Sequence, residues 1–250
     1  MVSASVAERL GCRSRLPDPA IRGGWPVFAM SGACVPVILP VMSLDLWARL
    51  SARIYDPFLT LGERRGMAAR RTELLAQASG RVLELGAGTG LNLPHYTDAV
   101  DELVLSEPDA AMGRRLGRRL AGAHSAVVVV AAPAERLPFD DASFDTVVST
   151  LVLCTVTDAT AAVREVRRVL RPEGRLLFIE HVRADRARLA RWQDRLARPW
   201  RAFAMGCRAN QPTLELLAAA GLRIDVADTD RWRGMPAIVR PLAIGRASRA

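Results

Sequence analysis

Residues 82–90 read VLELGAGTG, an apolar stretch running into three glycines at alternate positions, Gly86, Gly88 and Gly90. A strand that ends in such a run turns sharply, because glycine accepts positive φ and leaves the backbone open to a ligand. In an open α/β sheet this place lies beyond the carboxyl end of a strand, near a helix N-terminus, where ligands bind. The next apolar run, Asp101–Leu105, ends in LVLSEP and brings Glu107 to the same edge. A carboxylate there can accept hydrogen bonds from both hydroxyls of a ribose. A GxGxxG dinucleotide loop would need its third glycine at position 91, which is Leu91. The loop therefore argues against a nicotinamide dinucleotide, whereas Glu107 alone fits any adenosine ligand.

The rest of the chain is patterned as such a loop requires. Short apolar runs at Arg81–Leu85, Asp101–Leu105, Ala126–Ala131, Phe144–Thr150 and Arg175–Glu180 alternate with helical stretches. One helix is expected from about Asp109 to Ala121. Another is capped by Asp158 and runs through Leu170 with the stripe Ala162, Val163, Val166 and Leu170. Ahead of the glycine loop, Leu46, Leu50 and Ile54 share a helix face, and a second helix spans residues 62–79 and stops at Gly80; together they could cover the site. After it, residues 184–205 and 212–220 read as helices, and Leu222–Val226 and Ile238–Ile244 as the last strands. Strands alternating with helices make this an α/β protein with a doubly wound, mostly parallel, Rossmann-like sheet of seven strands and N-terminal helices.

Its 250 residues suffice for one large domain with appendages, divided as an extension, 1–42, and a folded domain, 43–250. No charged residue occurs from Gly23 to Leu44, but Pro26, Pro36 and Pro40 interrupt the stretch. A loose extension is favoured over a membrane-associated segment or a secretory signal. The formal charge of +9 comes with no lysine, all 35 basic residues being arginine. With no interleaved aromatics it reads as a solvated basic surface, with peripheral contact to an anionic membrane left open and nucleic acid not expected as a partner. Arg114, Arg115, Arg118 and Arg119 fit a solvated helix face. Cys12, Cys34, Cys154 and Cys207 form no CxxC pair, and the three histidines lie far apart, so no metal is expected and the thiols read as free in a reducing, cytoplasmic compartment.

With the dinucleotide set aside, GxGxG followed by an acid points to S-adenosylmethionine (SAM). The candidate donor-site residues are Glu84, Gly86, Ala87, Gly88, Gly90, Asn92, Glu107, Pro108, Ala134, Glu135 and Thr150. Glu84 can order the loop and the ammonium of a methionine moiety. Ala134 and Glu135 sit in the turn expected to flank adenine, where Pro133 replaces the acid common in such sites.

Residues 81–180 resemble the group that includes quinone and phospholipid methyltransferases. A narrower likeness rests on STLVLCTV (149–156), EVRRVLRPEG (165–174), EHV (180–182) and GCRANQPT (206–213). With the glycine loop, these segments resemble the methyltransferase-like alkyl thiol S-methyltransferases and their bacterial relatives, over about residues 55–247. The resemblance implies a class I SAM-dependent methyltransferase whose last strand is antiparallel. It implies SAM on Gly86, Gly88, Gly90 and Glu107, and an acceptor pocket around Leu151, Cys154, His181, Cys207 and Asn210. It also implies an apolar N-terminal membrane anchor. Gln211 stands where an arginine is common and Leu242 where the thiol enzymes often carry histidine, so the acceptor is implied less firmly than methyl transfer.

Methyl transfer is an in-line displacement that needs alignment and a dry pocket more than acid–base power. A thiol, with its reference pKa of about 8.5, needs little help in losing its proton. His181, after the fifth strand, is the expected proton acceptor, with a purely structural histidine as its rival. Glu180 is expected to hold a loop, and Cys154 and Cys207 to be buried apolar residues rather than nucleophiles. Leu189, Trp192, Leu196, Trp200 and Phe203 form a stripe suited to core or lid packing, or, with Arg188, Arg191, Arg195 and Arg198, to an anionic membrane. The expected activity is methylation of a small apolar acceptor, thiol favoured, by a monomer or homodimer. The alternatives are a phospholipid or quinone methyltransferase at a membrane, and a non-catalytic binding protein of the same fold.

Overall fold

The computed structural model describes residues 27–30, 46–121 and 127–250. Cys12, Cys34, Ala126 and most of the uncharged 23–44 stretch lie outside them. The described elements are, in order, β1 (Val27–Met30), α1 (Leu46–Gly62), α2 (Ala68–Leu75), β2 (Gly80–Leu85), β3 (Val100–Ser106), α3 (Ala110–Leu120), β4 (Val127–Val130), β5 (Phe144–Thr150), α4 (Ala159–Val169), β6 (Leu170–His181), α5 (Ala187–Phe203), α6 (Thr213–Ala219), β7 (Leu222–Arg231) and β8 (Pro241–Arg249).

The sheet runs β1-β4-β3-β2-β5-β6-β8-β7. Strands β4, β3, β2, β5 and β6 are parallel, and β8 is antiparallel to both β6 and β7. This is the expected seven-stranded arrangement. Part of the N-terminal extension adds an eighth strand, with Val27 opposite Val130 and Met30 opposite Val127. The order reverses between β2 and β5, so their carboxyl ends open the crevice in which α/β sheets bind ligands.

Successive strand residues point to opposite faces, and the core divides accordingly. Leu83, Val147, Leu176 and Phe178 pack with Ala162, Val163 and Val166 of α4 and Leu217 of α6. Val82, Val148, Leu177 and Ile179 pack on the other face with Leu59 of α1, Leu74 and Leu75 of α2 and Leu116 and Leu120 of α3. Asp109 caps α3, its carboxylate accepting from Ala111 N and Met112 N, both at 2.8 Å. Asp158 caps α4 through Ala161 N at 3.0 Å, as its sequence position predicts.

Four details differ from expectation. Residues after Gly90 form only a three-residue 3-10 helix, Leu93–His95, where a helix N-terminus was expected. Pro94 opens that turn, and Asn92 and Tyr96 are drawn back to Glu84. Leu170 follows α4 as its C-cap and pairs with Phe144 before the register breaks. Strand β7 continues past Val226 to Arg231 because it is the sheet edge, where Asp225, Asp228 and Asp230 can reach water. Ile238 and Val239 lie in a 3-10 turn after Pro236, so β8 begins later, at Pro241.

Candidate active site

A cavity of about 440 Å³ opens at the carboxyl edge of β2, β3, β5 and β6. One end is bounded by Gly86, Gly88, Glu107, Pro108, Ala134, Glu135 and Thr150, the other by Leu151, Cys154, His181, Trp200, Cys207 and Trp232. Of the sequence candidates, Glu84, Ala87, Gly90 and Asn92 lie behind this wall. Asn210 also stands off it and donates to Asp194 at 3.0 Å.

The glycine loop is held from below and from the side. Ala87 N donates to Ser106 O and Gly90 N to Ala87 O, both at 2.9 Å. Gly88 has φ +59, and a Cβ there would meet nothing nearer than Gly86 O at 3.8 Å, so that position faces open space. Gly90 has φ +85, and a Cβ there would stand 2.8 Å from methyls of Leu93 and Leu116. Gly88 thus keeps room for a ligand, whereas Gly90 lets the loop pack. Glu107 ties the loop to β3, accepting from Gly88 N at 2.7 Å and from Asp109 N at 2.8 Å. Burial pushes its carboxyl up to about 7, against the lowering effect of those two N–H groups.

Beneath the loop lies a buried polar network. Glu84 accepts from Asn92 Nδ2 at 3.0 Å and from the Tyr96 hydroxyl at 2.7 Å, and burial raises its carboxyl to about 7. Asn92 also reaches Thr150 Oγ at 3.1 Å and accepts from Arg71 at 2.6 Å, while Arg71 pairs with Glu63 at 3.0 Å. Glu84, Asn92 and Thr150 are therefore one bonded unit. Arg71 and Tyr96, which sequence reasoning missed, complete it from the preceding helix and the following turn.

Helix α1 lies over the glycine-loop end, where Ile54, Tyr55, Phe58 and Leu59 line the cavity. Asp56 holds it there, accepting from Thr89 Oγ at 2.6 Å and from Arg119 at 3.1 Å, with Arg115 at 3.6 Å. Arg115 and Arg119 thus anchor this helix and are not simply solvated. Glu135 carries the turn before α4, accepting from Thr157 N at 2.7 Å.

At the far end, Glu180 shapes the wall. It is fully buried, and one carboxylate oxygen accepts from Ser149 Oγ at 2.7 Å, Val152 N at 2.9 Å and Leu153 N at 3.1 Å. This pins the turn in which Leu151 takes φ +60, a left-handed conformation unusual for leucine. Glu180 holds the loop, as the sequence reading favoured. The GC segment is brought up by Arg208, whose N–H donates to Cys154 O at 2.7 Å and whose guanidinium reaches Thr157 O at 2.6 Å. Gln193 of α5 ties the neighbouring loops together through Ala209 O and Ile238 O at 2.8 and 2.9 Å.

This places Cys154 and Cys207 in contact, sulfur to sulfur 3.8 Å, beside His181, whose ring stacks 5.8 Å from that of Trp232. Hydrogen bonds with Cys154 and His181 pull the Cys207 thiol well below its usual range, whereas the bond with Cys207, together with burial, pushes the Cys154 thiol up. The Nδ1 of His181 is buried and has no hydrogen-bond partner among the described residues. Leu242, at the position where histidine was noted as common, is buried on β8, paired with His181 of β6.

Residues 83–178 match the family model described as a methyltransferase domain. Thiol S-methyltransferase TMT1B of Homo sapiens is 34% identical over 198 residues, spanning 71% of this chain and 81% of that protein. Phosphatidylethanolamine N-methyltransferase of Cereibacter sphaeroides is 34% identical over 162 residues, spanning 63% of this chain and 78% of its own. A solved SAM-dependent methyltransferase from Thermotoga maritima superposes with a TM-score of 0.57 at 19% identity, covering 82% of this chain and 99% of that one, which shows the shared fold. The glycine loop over a reversing parallel sheet, the antiparallel β8 and these likenesses agree, and the chain belongs to the class I SAM-dependent methyltransferases, similar to the alkyl thiol S-methyltransferases and their bacterial relatives.

Proposed function

We propose that this enzyme methylates a small apolar thiol. The observation that carries the reading is the cavity itself, which runs without a break from Gly88 and Glu107 to a wall of Trp200, Trp232 and Met235 with His181 and two cysteines set into it. Glu107 would accept from the ribose hydroxyls, the backbone at Gly86–Gly88 would receive the methionine end, and Ala134 would flank adenine. SAM supplies an electrophilic methyl on a sulfonium sulfur. The open space at Gly88 fits such a ligand. The apolar wall would exclude water and align the acceptor, and His181, which lines it, would take the proton. Cytosolic SAM would be accessible to such an enzyme in the cytoplasm or at a membrane surface.

The test is methyl transfer from labelled SAM to a series of alkyl thiols, with SAM binding followed by calorimetry. Methyl thioether formation is expected. A protein that binds SAM yet forms no thioether would overturn the thiol assignment.

A second reading, a lipid or quinone acceptor at a membrane, is favoured by the cavity mouth. Ile54, Phe58 and Phe203 are 43%, 41% and 51% exposed there, with the Phe58 and Phe203 rings 6.3 Å apart. Among the described residues no helix is long and apolar enough to cross a membrane, so contact of this kind would be peripheral. Vesicle flotation and mass analysis of methylated lipid separate the two readings.

A further inference from the structure

Cys154, His181 and Cys207 come from the turn after β5, the end of β6 and the loop after α5, and each offers one donor atom within 4.8 Å of the others. All three side chains are buried, at 1%, 4% and 6% exposure. The two sulfurs stand 3.8 Å apart. Two thiolates bound to one tetrahedral zinc at about 2.3 Å each are about 3.8 Å from one another, because the tetrahedral angle sets that chord. A cation could therefore enter with little movement of either sulfur. One ring nitrogen of His181, Nδ1, is buried with no hydrogen-bond partner among the described residues, and a cation ligated through it would satisfy that atom.

The donor set decides the kind of ion. Two thiols and an imidazole suit a soft or borderline cation such as zinc, and no carboxylate belongs to the cluster to favour magnesium or calcium. The geometry also decides the kind of site. All three residues line the cavity, so a fourth coordination position faces it. Three protein ligands with one open position is the arrangement of a reactive zinc, whereas structural sites close all four.

We propose that Cys154, His181 and Cys207 bind one zinc ion, whose open position receives the acceptor thiol. The acceptor half of this proposal rests on the thiol reading above. When the ion binds, the S–H bonds of Cys154 and Cys207 break, two sulfur–zinc bonds form and two protons leave to solvent; when the acceptor follows, its S–H bond breaks, a third sulfur–zinc bond forms, and its proton leaves through the cavity mouth. Zinc with two cysteine thiolates is neutral, so the bound acceptor thiolate adds one negative charge, which faces a cationic methyl donor. A coordinating thiol is deprotonated by the ion, so His181 acts as a ligand and the free imidazole base of the metal-free reading is not needed.

The test uses the reduced full-length chain, stripped with chelator and titrated with zinc alone, then with cobalt as a coloured substitute. One equivalent per chain is expected, with a thiolate-to-cobalt charge-transfer band that is lost in Cys154→Ser, Cys207→Ser and His181→Ala. The Cys12→Ser/Cys34→Ser double variant should keep it. SAM binding by calorimetry reports whether each variant is folded. If a variant does not fold, zinc protection of Cys154 and Cys207 against alkylation in the native chain gives the same answer. No metal in reduced, SAM-binding protein, binding unchanged in both serine variants, or a Cys154–Cys207 disulfide that persists under reductant would each overturn the site. Ethanethiol should shift the cobalt spectrum. A cobalt site that ignores thiols, with no thioether formed, would overturn the acceptor half and the thiol reading while leaving the metal site standing.

Discussion

Glu180 offers a sharp separation between holding a loop and moving a proton. Its buried carboxylate accepts three hydrogen bonds on one oxygen, two from the backbone of the Leu151 turn and one from Ser149, while its second oxygen has no partner. In Glu180→Ala both N–H groups and a hydroxyl lose their acceptor in a site closed to water. Each buried donor left unsatisfied costs about 1–3 kcal/mol, and the hydroxyl can partly reorient. The turn also stores about 1–2 kcal/mol in its left-handed leucine. Relaxation of the turn can return part of that strain, which leaves a loss of roughly 2–5 kcal/mol. Glu180→Gln keeps an acceptor oxygen where the three donors converge and puts its amide nitrogen where the unpartnered oxygen was. The unsatisfied N–H groups are offset by removal of a carboxylate that burial already disfavours, for a net change of about 1 kcal/mol or less. Urea unfolding measures the gap, which should appear as a shift in midpoint at constant slope. The pH dependence has a definite sign. Burial raises the folded carboxyl above its ordinary value, so its contribution to stability is full at low pH and is lost as pH rises through the raised value. The glutamine variant should lack that slope. Equal destabilisation by alanine and glutamine would refute the acceptor geometry. A glutamine variant that is stable and binds SAM, yet transfers methyl groups more than a hundredfold slower, would refute the structural role itself.

Glu107, raised by burial to about 7, predicts that SAM affinity weakens as pH falls below that value, about tenfold per unit, because the neutral acid no longer accepts with both oxygens. Calorimetry across pH 5.5–8 checks it, and a flat profile identical to that of Glu107→Gln would count against it. Gly88→Asn, whose side chain tolerates the left-handed φ of +59, should abolish detectable SAM binding while unfolding close to wild type. Gly90→Ala should cost about 1–3 kcal/mol by driving a methyl onto Leu93 and Leu116; reversed effects would mean that the loop faces are misassigned. Replacing Phe58 and Phe203 together by serine should change stability by less than about 1 kcal/mol, since both are exposed, and should reduce binding to anionic vesicles severalfold if the cavity mouth meets a membrane. Unchanged flotation would remove the membrane reading.

The glycine-loop end could be read from sequence because its parts are local. Gly86, Gly88 and Gly90 are forced by one turn, and Glu107 directly follows the very next strand, so strand period and glycine spacing placed them together without knowledge of the packing. Helix caps were legible for the same reason, Asp158 lying three residues from the N–H that it accepts. Boundaries failed where tertiary position outweighs pattern. Nothing between Asp225 and Arg231 alternates as a half-buried strand does, yet an edge strand bonded along one side needs only its backbone. The missing helix after Gly90 follows from Pro94 and from the pull of Glu84 on Asn92 and Tyr96, a side-chain network invisible to periodicity.

The far end of the cavity was legible residue by residue but not as an assembly. Cys154 and Cys207 are 53 positions apart and carry no spacing signal, and each alone reads as a small buried apolar side chain. What joins them is backbone bonding: Arg208 N to Cys154 O, and the turn held by Glu180. Both depend on β5 and β6 being adjacent and parallel, and on α5 returning the chain to their carboxyl ends. Once that topology is granted, two cysteines in LVLC and GC and the histidine of EHV must converge, since all three follow elements that end at the same sheet edge. The sheet order therefore turns three separate buried residues into a single polar cluster facing an apolar chamber.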